Sequence, residues 1–409
     1  MLYITAAQAA QKWNVTVRRV QDMCRKDLID GAVRHGRDWM IPMDAQKPAD
    51  RRCRNSALKA PLPQLPRRSP AIVMTNLYNR PGCAEEAMDA LKNKPESAAL
   101  SKAQIAYCRG EIDEAKGIVT ALLNHPCGHD LQIGCGIILA MCAIYKGDTA
   151  LWQIARSRIS DAVCHNEKDQ YLSEFWAAAV DSEIHNTYTF PGWFMRGCFD
   201  PIAGDSYPAA RYYYLKFLFV MGHQYASGVI GERDNQAAMG LFSAVAEPLI
   251  SQTRKDGALI AEIYMRLLCA TSYHDLGKDD MAILHLDTAI RLALPDRLFL
   301  ILAEYRKNLD FLLDERLNLV NPAATDHVRR LSKAFMHGWT VLHNAVLGRS
   351  VTNELTTRER EVAKHAAFGL SNKDIAQRLH ISVNTVKQSL RAAMDKTGAV
   401  RRIDLSHYL

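Results

Sequence analysis

The stretch QKPADRRCRNSALKAPLPQLPRRSP, from Gln46 to Pro70, constrains this chain more than any other. It holds five prolines and seven lysines or arginines. Each proline lacks an amide donor and fixes its own φ, so neither a helix nor a central strand can run through the segment. The composition favours an extended, solvated linker. The chain must therefore fold as separate bodies on either side, and 409 residues leave room for two to four. A softer break, LGRSVTNE from Leu347 to Glu354, precedes a strong helix start. The expected divisions are residues 1–45, a linker at 46–70, a helical region at 71–346 and a terminal domain at 350–409.

Charge follows these divisions. Residues 1–69 carry 14 Lys/Arg against 6 Asp/Glu, residues 349–409 carry 11 against 6, and the middle carries 26 against 32. Two basic ends thus flank an acidic centre. A basic end attracts a polyanion and displaces counterions condensed on its phosphates, although a merely solubilising tail would show the same charge. Ten cysteines occur without a CxxC pair, several inside apolar helical patterns such as Cys135, Cys142 and Cys269. That is the usage of a reducing compartment. The start, MLYITAAQAAQKW, lacks the basic-then-apolar order of a secretory signal. The longest apolar run, IGCGIILAMCAIY (Ile133–Tyr145), is too short to span a bilayer. The expectation is a cytoplasmic protein without a membrane partner.

From residue 71 to about 346 apolar residues recur at three- and four-residue steps, and strand-like alternation is scarce. Three units share one layout: a helix, a glycine turn, then a second helix with alanine near its start. They are AYCRGEIDEAKGIV, AIYKGDTALWQIA and YHDLGKDDMAILHLDTAI, with turns at Gly110, Gly147 and Gly277. Glycine ends a helix cheaply in the left-handed conformation. These units resemble tetratricopeptide-like helical hairpins, which implies a solenoid-like region, with an irregular helical bundle as the alternative. Within Phe190 to Phe219 lie FPGWFMRGCF and RYYYLKFLF, which read as helical core or as the lining of a ligand pocket.

The C-terminal segment LTTREREVAKHAAFGLSNKDIAQRLHISVNTVKQSLRAAMDKTGAVRRIDL reads as four short helices. Thr356 with Glu359 and Ser371 with Asp374 have capping-box spacing. Val362, Ala363 and Ala366, then Ile375, Ala376 and Leu379, then Val383, Val386, Leu390 and Ala393 or Met394, form inward faces. Asn384, Lys387, Gln388 and Arg391 are left outward. Two short helices joined by the tight turn at His380-Ile381 form a helix-turn-helix, whose second helix suits the major groove. The segment resembles the LuxR-type DNA-binding domain through LTTREREV, GLSNKDIAQRL, IS, TVK and RRIDL. The resemblance implies that Lys373, Asn384, Thr385, Lys387, Gln388 and Arg391 meet double-stranded DNA. It also implies that the last helix, through Leu405 and Tyr408, pairs two subunits. Ser389 stands where the family usually has His, and Thr397 where it usually has Leu.

Near the N-terminus Thr5 caps an apolar-periodic segment that begins at Ile4, and Thr16 caps a second with Val17, Val20 and Met23 or Cys24 inward. Two short strands, Ala32–Arg34 and Trp39–Ile41, flank the turn His35–Asp38. The layout is a winged helix-turn-helix. Through YITAAQAAQKWNVTVRRVQ and GAVRHGRDWMIP it resembles excisionase or MerR-like domains. That resemblance places Arg18, Arg19 and Arg25 on the reading helix and Arg34 and Arg37 on the wing.

The fold expected is therefore mainly α. It has an N-terminal winged helix-turn-helix, a central solenoid-like helical region and a C-terminal four-helix LuxR-type domain. No GxxxxGK[ST] phosphate loop occurs. HPCGH (His125–His129) reads as a turn with partly exposed imidazoles rather than a metal site, and Cys164-His165 lacks an orienting acid. The expectation is a one-component transcription regulator, not an enzyme, with no cofactor and no metal. It would act as a homodimer at least on DNA, with RNA polymerase and a small-molecule ligand or protein partner of the helical region as further partners. The alternative is a helical adaptor whose terminal modules bind proteins.

Overall fold

A computed structural model describes residues 3–45 and 78–409, apart from 14, 26–28, 30–31, 36–37, 43–44, 163, 187–188, 203, 224–231, 349–354, 398 and 408–409. The linker expected from Gln46 to Pro70 lies outside the described residues. The chain divides into two compact units, Met1–Arg67 and Arg68–Leu409.

The first unit orders β1 (Tyr3–Thr5), α1 (Ala6–Trp13), α2 (Val17–Arg25), β2 (Val33–His35) and β3 (Asp38–Pro42). The strands form one antiparallel sheet in the order β1-β3-β2. Ile4 pairs with Ile41, and His35 pairs with Asp38. Ile4, read at helical spacing, thus lies in a strand, because β3 offers Tyr3–Thr5 an open edge. The helix starts at Ala6, directly after the expected cap Thr5, where Thr5 and Gln8 cap each other. The Gln8 amide donates to Thr5 Oγ1 at 3.3 Å and the Thr5 amide to Gln8 Oε1 at 2.9 Å. Thr16 likewise accepts from the Arg19 amide at 3.4 Å. Ala9, Ala10, Trp13, Val20, Met23, Cys24 and Ile41 form the core. Val17, expected inward, is 41% exposed, because the first turn of α2 projects past so small a core.

The second unit opens with α3 (Ala84–Asp89), α4 (Pro95–Arg109), α5 (Ile112–Leu123), α6 (His129–Lys146), α7 (Thr149–Ser160), α8 (Glu167–Glu183) and the single turn α9 (Gly192–Met195). It continues with α10 (Tyr207–His223), α11 (Glu232–Lys255), α12 (Leu259–Asp275), α13 (Asp279–Ala293), α14 (Phe299–Val320) and α15 (Pro322–Leu347). The pairs α4–α5, α6–α7, α10–α11, α12–α13 and α14–α15 pack as successive hairpins. Gly110 (φ 93°), Gly147 (φ 68°) and Gly277 (φ 68°) turn three of them in the left-handed conformation. At each, the following amide reaches back to close the helix: Glu111 to Ala106 O (2.9 Å), Asp148 to Ala143 O (3.0 Å), Lys278 to Tyr273 O (2.9 Å).

In a simple stack each hairpin touches only its neighbours. Here α14 also packs on α4, and α15 crosses α6. The crossing is close because Gly338 lies against α6, where a Cβ would collide with the carbonyls of Ile144 and Tyr145. Among the described residues, no helix is long and apolar enough to cross a membrane.

Candidate nucleic-acid interface

The last part of the second unit has its own core. Helices α16 (Thr357–Ala367), α17 (Asn372–Arg378) and α18 (Val383–Thr397), and a 3-10 helix at Arg402–His407, enclose Val362, Ala363, Ala366, Ile375, Ala376, Val386 and Ala393. Both expected capping boxes are present. The Glu359 amide donates to Thr356 Oγ1 (3.3 Å) and the Thr356 amide to Glu359 Oε2 (2.8 Å). Ser371 and Asp374 repeat the exchange at 3.2 and 3.3 Å. Between α17 and α18 His380 turns the chain at φ 51°, and the Ile381 amide closes α17 on Ala376 O at 3.0 Å. Ser382 Oγ then accepts from the Thr385 amide at 3.0 Å and starts α18.

This geometry presents one face of α18 to solvent. Val386 and Ala393 are fully buried, while Asn384, Lys387, Gln388 and Arg391 are exposed and Thr385 is half-buried. Lys373 is exposed on α17. Val383, expected inward, is 38% exposed, again a first-turn residue projecting past a small core. Thr397 bonds the carbonyl of Ala393 at 2.8 Å, so at a position where the resembled family has Leu it bonds the helix backbone. Lys396 ties the end of α18 to the start of α16 through Glu359 at 2.6 Å.

The expected pairing surface needs correction. Leu405 is fully buried in the domain core, since the short 3-10 helix folds down on α16 and α18. Glutamate there would break the domain rather than only a subunit contact. Tyr408 lies outside the described residues.

Another face of the domain meets the helical region. Lys364 of α16 pairs with Asp275, the last residue of α12, at 2.5 Å. Arg378 of α17 donates to the carbonyls of His274 (3.3 Å) and Asp275. Cations at a helix C-terminus answer its free carbonyls and its negative dipole end. His365 is half-buried nearby, and burial, with the charges of Arg378 and Lys364, holds it down at about 4. The sequence carries no signal for this contact, because Lys364 and Asp275 are 89 positions apart.

In the first unit Arg18 and Arg25 of α2 and Arg34 of β2 are exposed, and Arg19 is half-buried. Arg25 pairs with Asp22 at 2.9 Å. Arg37 lies outside the described residues.

One histidine expectation changes. His129 is buried rather than partly exposed, because it opens α6 and bonds Ser173 at 3.0 Å. The Cys164 thiol lies 3.9 Å from His129 Nε2 and donates to Ala162 O at 3.3 Å. Among the described residues, no three His, Cys, Asp or Glu side chains are grouped to hold a metal ion.

Residues 353–409 match the model of the GerE family, bacterial regulatory proteins of the luxR family. No curated protein and no solved structure shows significant similarity to the chain. The C-terminal domain is thus of luxR-family helix-turn-helix type, a DNA-binding regulator domain.

Proposed function

We propose that the protein is a sequence-specific, one-component transcription regulator in the cytoplasm, and not an enzyme. Its C-terminal domain lays α18 in the major groove of double-stranded DNA. The observation that carries this reading is the exposed row Asn384, Lys387, Gln388 and Arg391 over a buried Val386 and Ala393, inside the segment that matches the luxR-family model. Asn384, Lys387 and Gln388 supply donors and acceptors suited to base edges, while Arg391 and Lys373 suit phosphates. The first unit, two helices and a three-stranded sheet with exposed Arg18, Arg25 and Arg34, serves as a second, winged DNA-binding module. The helical region senses a ligand or partner, and two copies of the chain bind paired half-sites and engage RNA polymerase.

The test is footprinting of the full chain on its own upstream DNA across a salt series. Each phosphate neutralised steepens log K against log salt by about 0.9. A defined footprint with a steep slope, lost at one base position in Lys387→Ala, is expected. Salt-independent behaviour without a footprint would instead favour the adaptor.

A further inference from the structure

Cys164, between α7 and α8, lies at the start of α6, and there a thiol, an imidazole and a carboxylate come together. His129 is the first residue of α6. Its Nδ1 is 3.2 Å from the Asp130 carboxylate, and its Nε2 is 3.0 Å from Ser173 Oγ of α8 and 3.9 Å from Cys164 Sγ. Ser173 Oγ is itself 3.9 Å from that sulfur. The turn that carries Cys164 into α8 is fixed locally. The His165 amide donates to the Asp169 carboxylate at 2.8 Å, and Asn166 caps α8 by accepting from the Asp169 amide at 3.1 Å.

The carboxylate decides which ring nitrogen carries the proton. A carboxylate only accepts, so His129 donates to Asp130 through Nδ1 and keeps a lone pair at Nε2. At rest that lone pair accepts from the Ser173 hydroxyl and also faces the Cys164 thiol, whose proton is held by Ala162 O at 3.3 Å. The ring is buried and Cys164 is exposed, so a reagent from solvent meets the sulfur. A nucleophile within reach of a base that a third group orients is the arrangement that activates a thiol. The other described cysteines stand in different surroundings. Cys24, Cys108, Cys135, Cys142 and Cys269 are buried, and burial pushes each thiol up. Cys83 and Cys127 are half-buried and pushed the same way, and Cys198 faces the Asp200 carboxylate at 3.9 Å.

We propose that Cys164 is a peroxide-reactive thiol, oxidised by hydrogen peroxide to a sulfenic acid, with His129 as its proton carrier and Asp130 and Ser173 as positioning residues. In this step the thiol proton passes to Nε2 and the sulfur attacks one peroxide oxygen. The S–O bond forms as the O–O bond breaks, and the second oxygen takes the proton from Nε2 and leaves as water. The sulfur is oxidised, the peroxide is reduced and the imidazole returns to its first state. Midway, the imidazolium is held between the Asp130 carboxylate and the Ser173 oxygen. A two-oxygen molecule needs no preformed pocket to reach a sulfur bordered by Ala162 O, His129 and Ser173. A sulfenic acid is reversed by a second thiol, which suits a signal. The oxidation goes beyond the ligand sensing proposed above and is independent of it.

The test exposes the full, reduced chain to hydrogen peroxide in the presence of dimedone, which traps sulfenic acids, and follows each cysteine-bearing peptide by mass spectrometry. Cys164 is expected to be labelled faster than Cys83 and Cys198. His129→Gln should slow its labelling about a hundredfold, the low end of what a positioned proton carrier contributes. Asp130→Asn should slow it about tenfold or more, because the amide donates to Nδ1 and moves the ring proton to Nε2. Asp130→Glu should retain most of the rate. Labelling of Cys83 and Cys198 should stay the same in every variant, whereas a general loosening of the fold would raise it. Asp130 is partly exposed, so its variants keep the test valid even if His129→Gln misfolds. Labelling of Cys164 no faster than of Cys83 or Cys198, a rate unchanged in either His129→Gln or Asp130→Asn, or alkylation of Cys164 by iodoacetamide without oxidation by peroxide would each overturn the proposal. Because DNA is absent from these reactions, such a failure would leave the DNA-binding conclusion standing.

Discussion

The two terminal modules begin in the same way and are secured differently. Thr5 with Gln8 and Thr356 with Glu359 both form reciprocal caps at the start of a helix. In the first module the bonds of the box, among the described residues, run between Thr5 and Gln8. In the last, Glu359 also holds Lys396 at the far end of α18, so one carboxylate fixes two helices together. The same module is anchored on Asp275 through Lys364 and Arg378. A local signature thus specifies a helix start, and tertiary partners decide how firmly that helix is oriented. Precise orientation is what base readout requires.

The largest expected effect separates fold from contact. Leu405→Glu should place a charge in the C-terminal core, cost on the order of 4 kcal/mol or more, and unfold that module. In the full chain, specific DNA binding should vanish while most helical circular dichroism is retained. A variant that stays folded and still protects its site from nuclease would break the assignment of Leu405 to the core.

A smaller effect compares the two candidate reading helices. Lys387→Ala should lose about 1–3 kcal/mol of discrimination at one base pair. Arg391→Ala should weaken all sequences alike. The pair Arg18→Ala with Arg19→Ala should shorten the footprint on a long operator and spare a minimal C-terminal half-site. Competition binding with single-base variants of the operator checks all three, and equal losses from both helices on the minimal site would contradict the division of labour.

Acid should act on the C-terminal module through His365. Its pKa in the fold is about 4, below the ordinary value of roughly 6.5, so the unfolded chain takes up the proton first. The stability it supplies is complete above about pH 6.5 and is lost as pH falls towards 4. Glu359, held below the ordinary carboxylate range by Lys396, adds stability that is lost only in stronger acid. A loss of about 1–2 kcal/mol between pH 7 and 5, after allowance for solvent screening, is expected in melts of the wild type and absent in His365→Gln.

The smallest effect sharpens the capping comparison. Thr5→Ala and Thr356→Ala should each cost about 1 kcal/mol. Only Glu359→Gln should additionally make stability less sensitive to salt, since it removes the charge paired with Lys396. An equal salt response in Gln8→Ala would remove the distinction.

Much of this was legible in sequence because its causes are local. Caps, glycine turns and 3.6-residue periodicity act over three to five residues. They located α17, α18, both capping boxes and the turns at Gly110, Gly147 and Gly277. The outward row on α18 followed from the same periodicity. Errors fell where a distant element intervened. Ile4 became part of a strand because β3 lies beside it, and His129 became buried because Ser173 approaches it.

By itself, then, the sequence determined the helices, their caps and the polar face of a luxR-type domain, since each depends on residues within one or two turns. Only the tertiary structure decided that Leu405 points inward, that Asp275 receives Lys364 and Arg378, and that Cys164 faces His129. Those outcomes depend on residues tens to more than a hundred positions apart. No local pattern encodes them, because they arise only when packing brings the elements together.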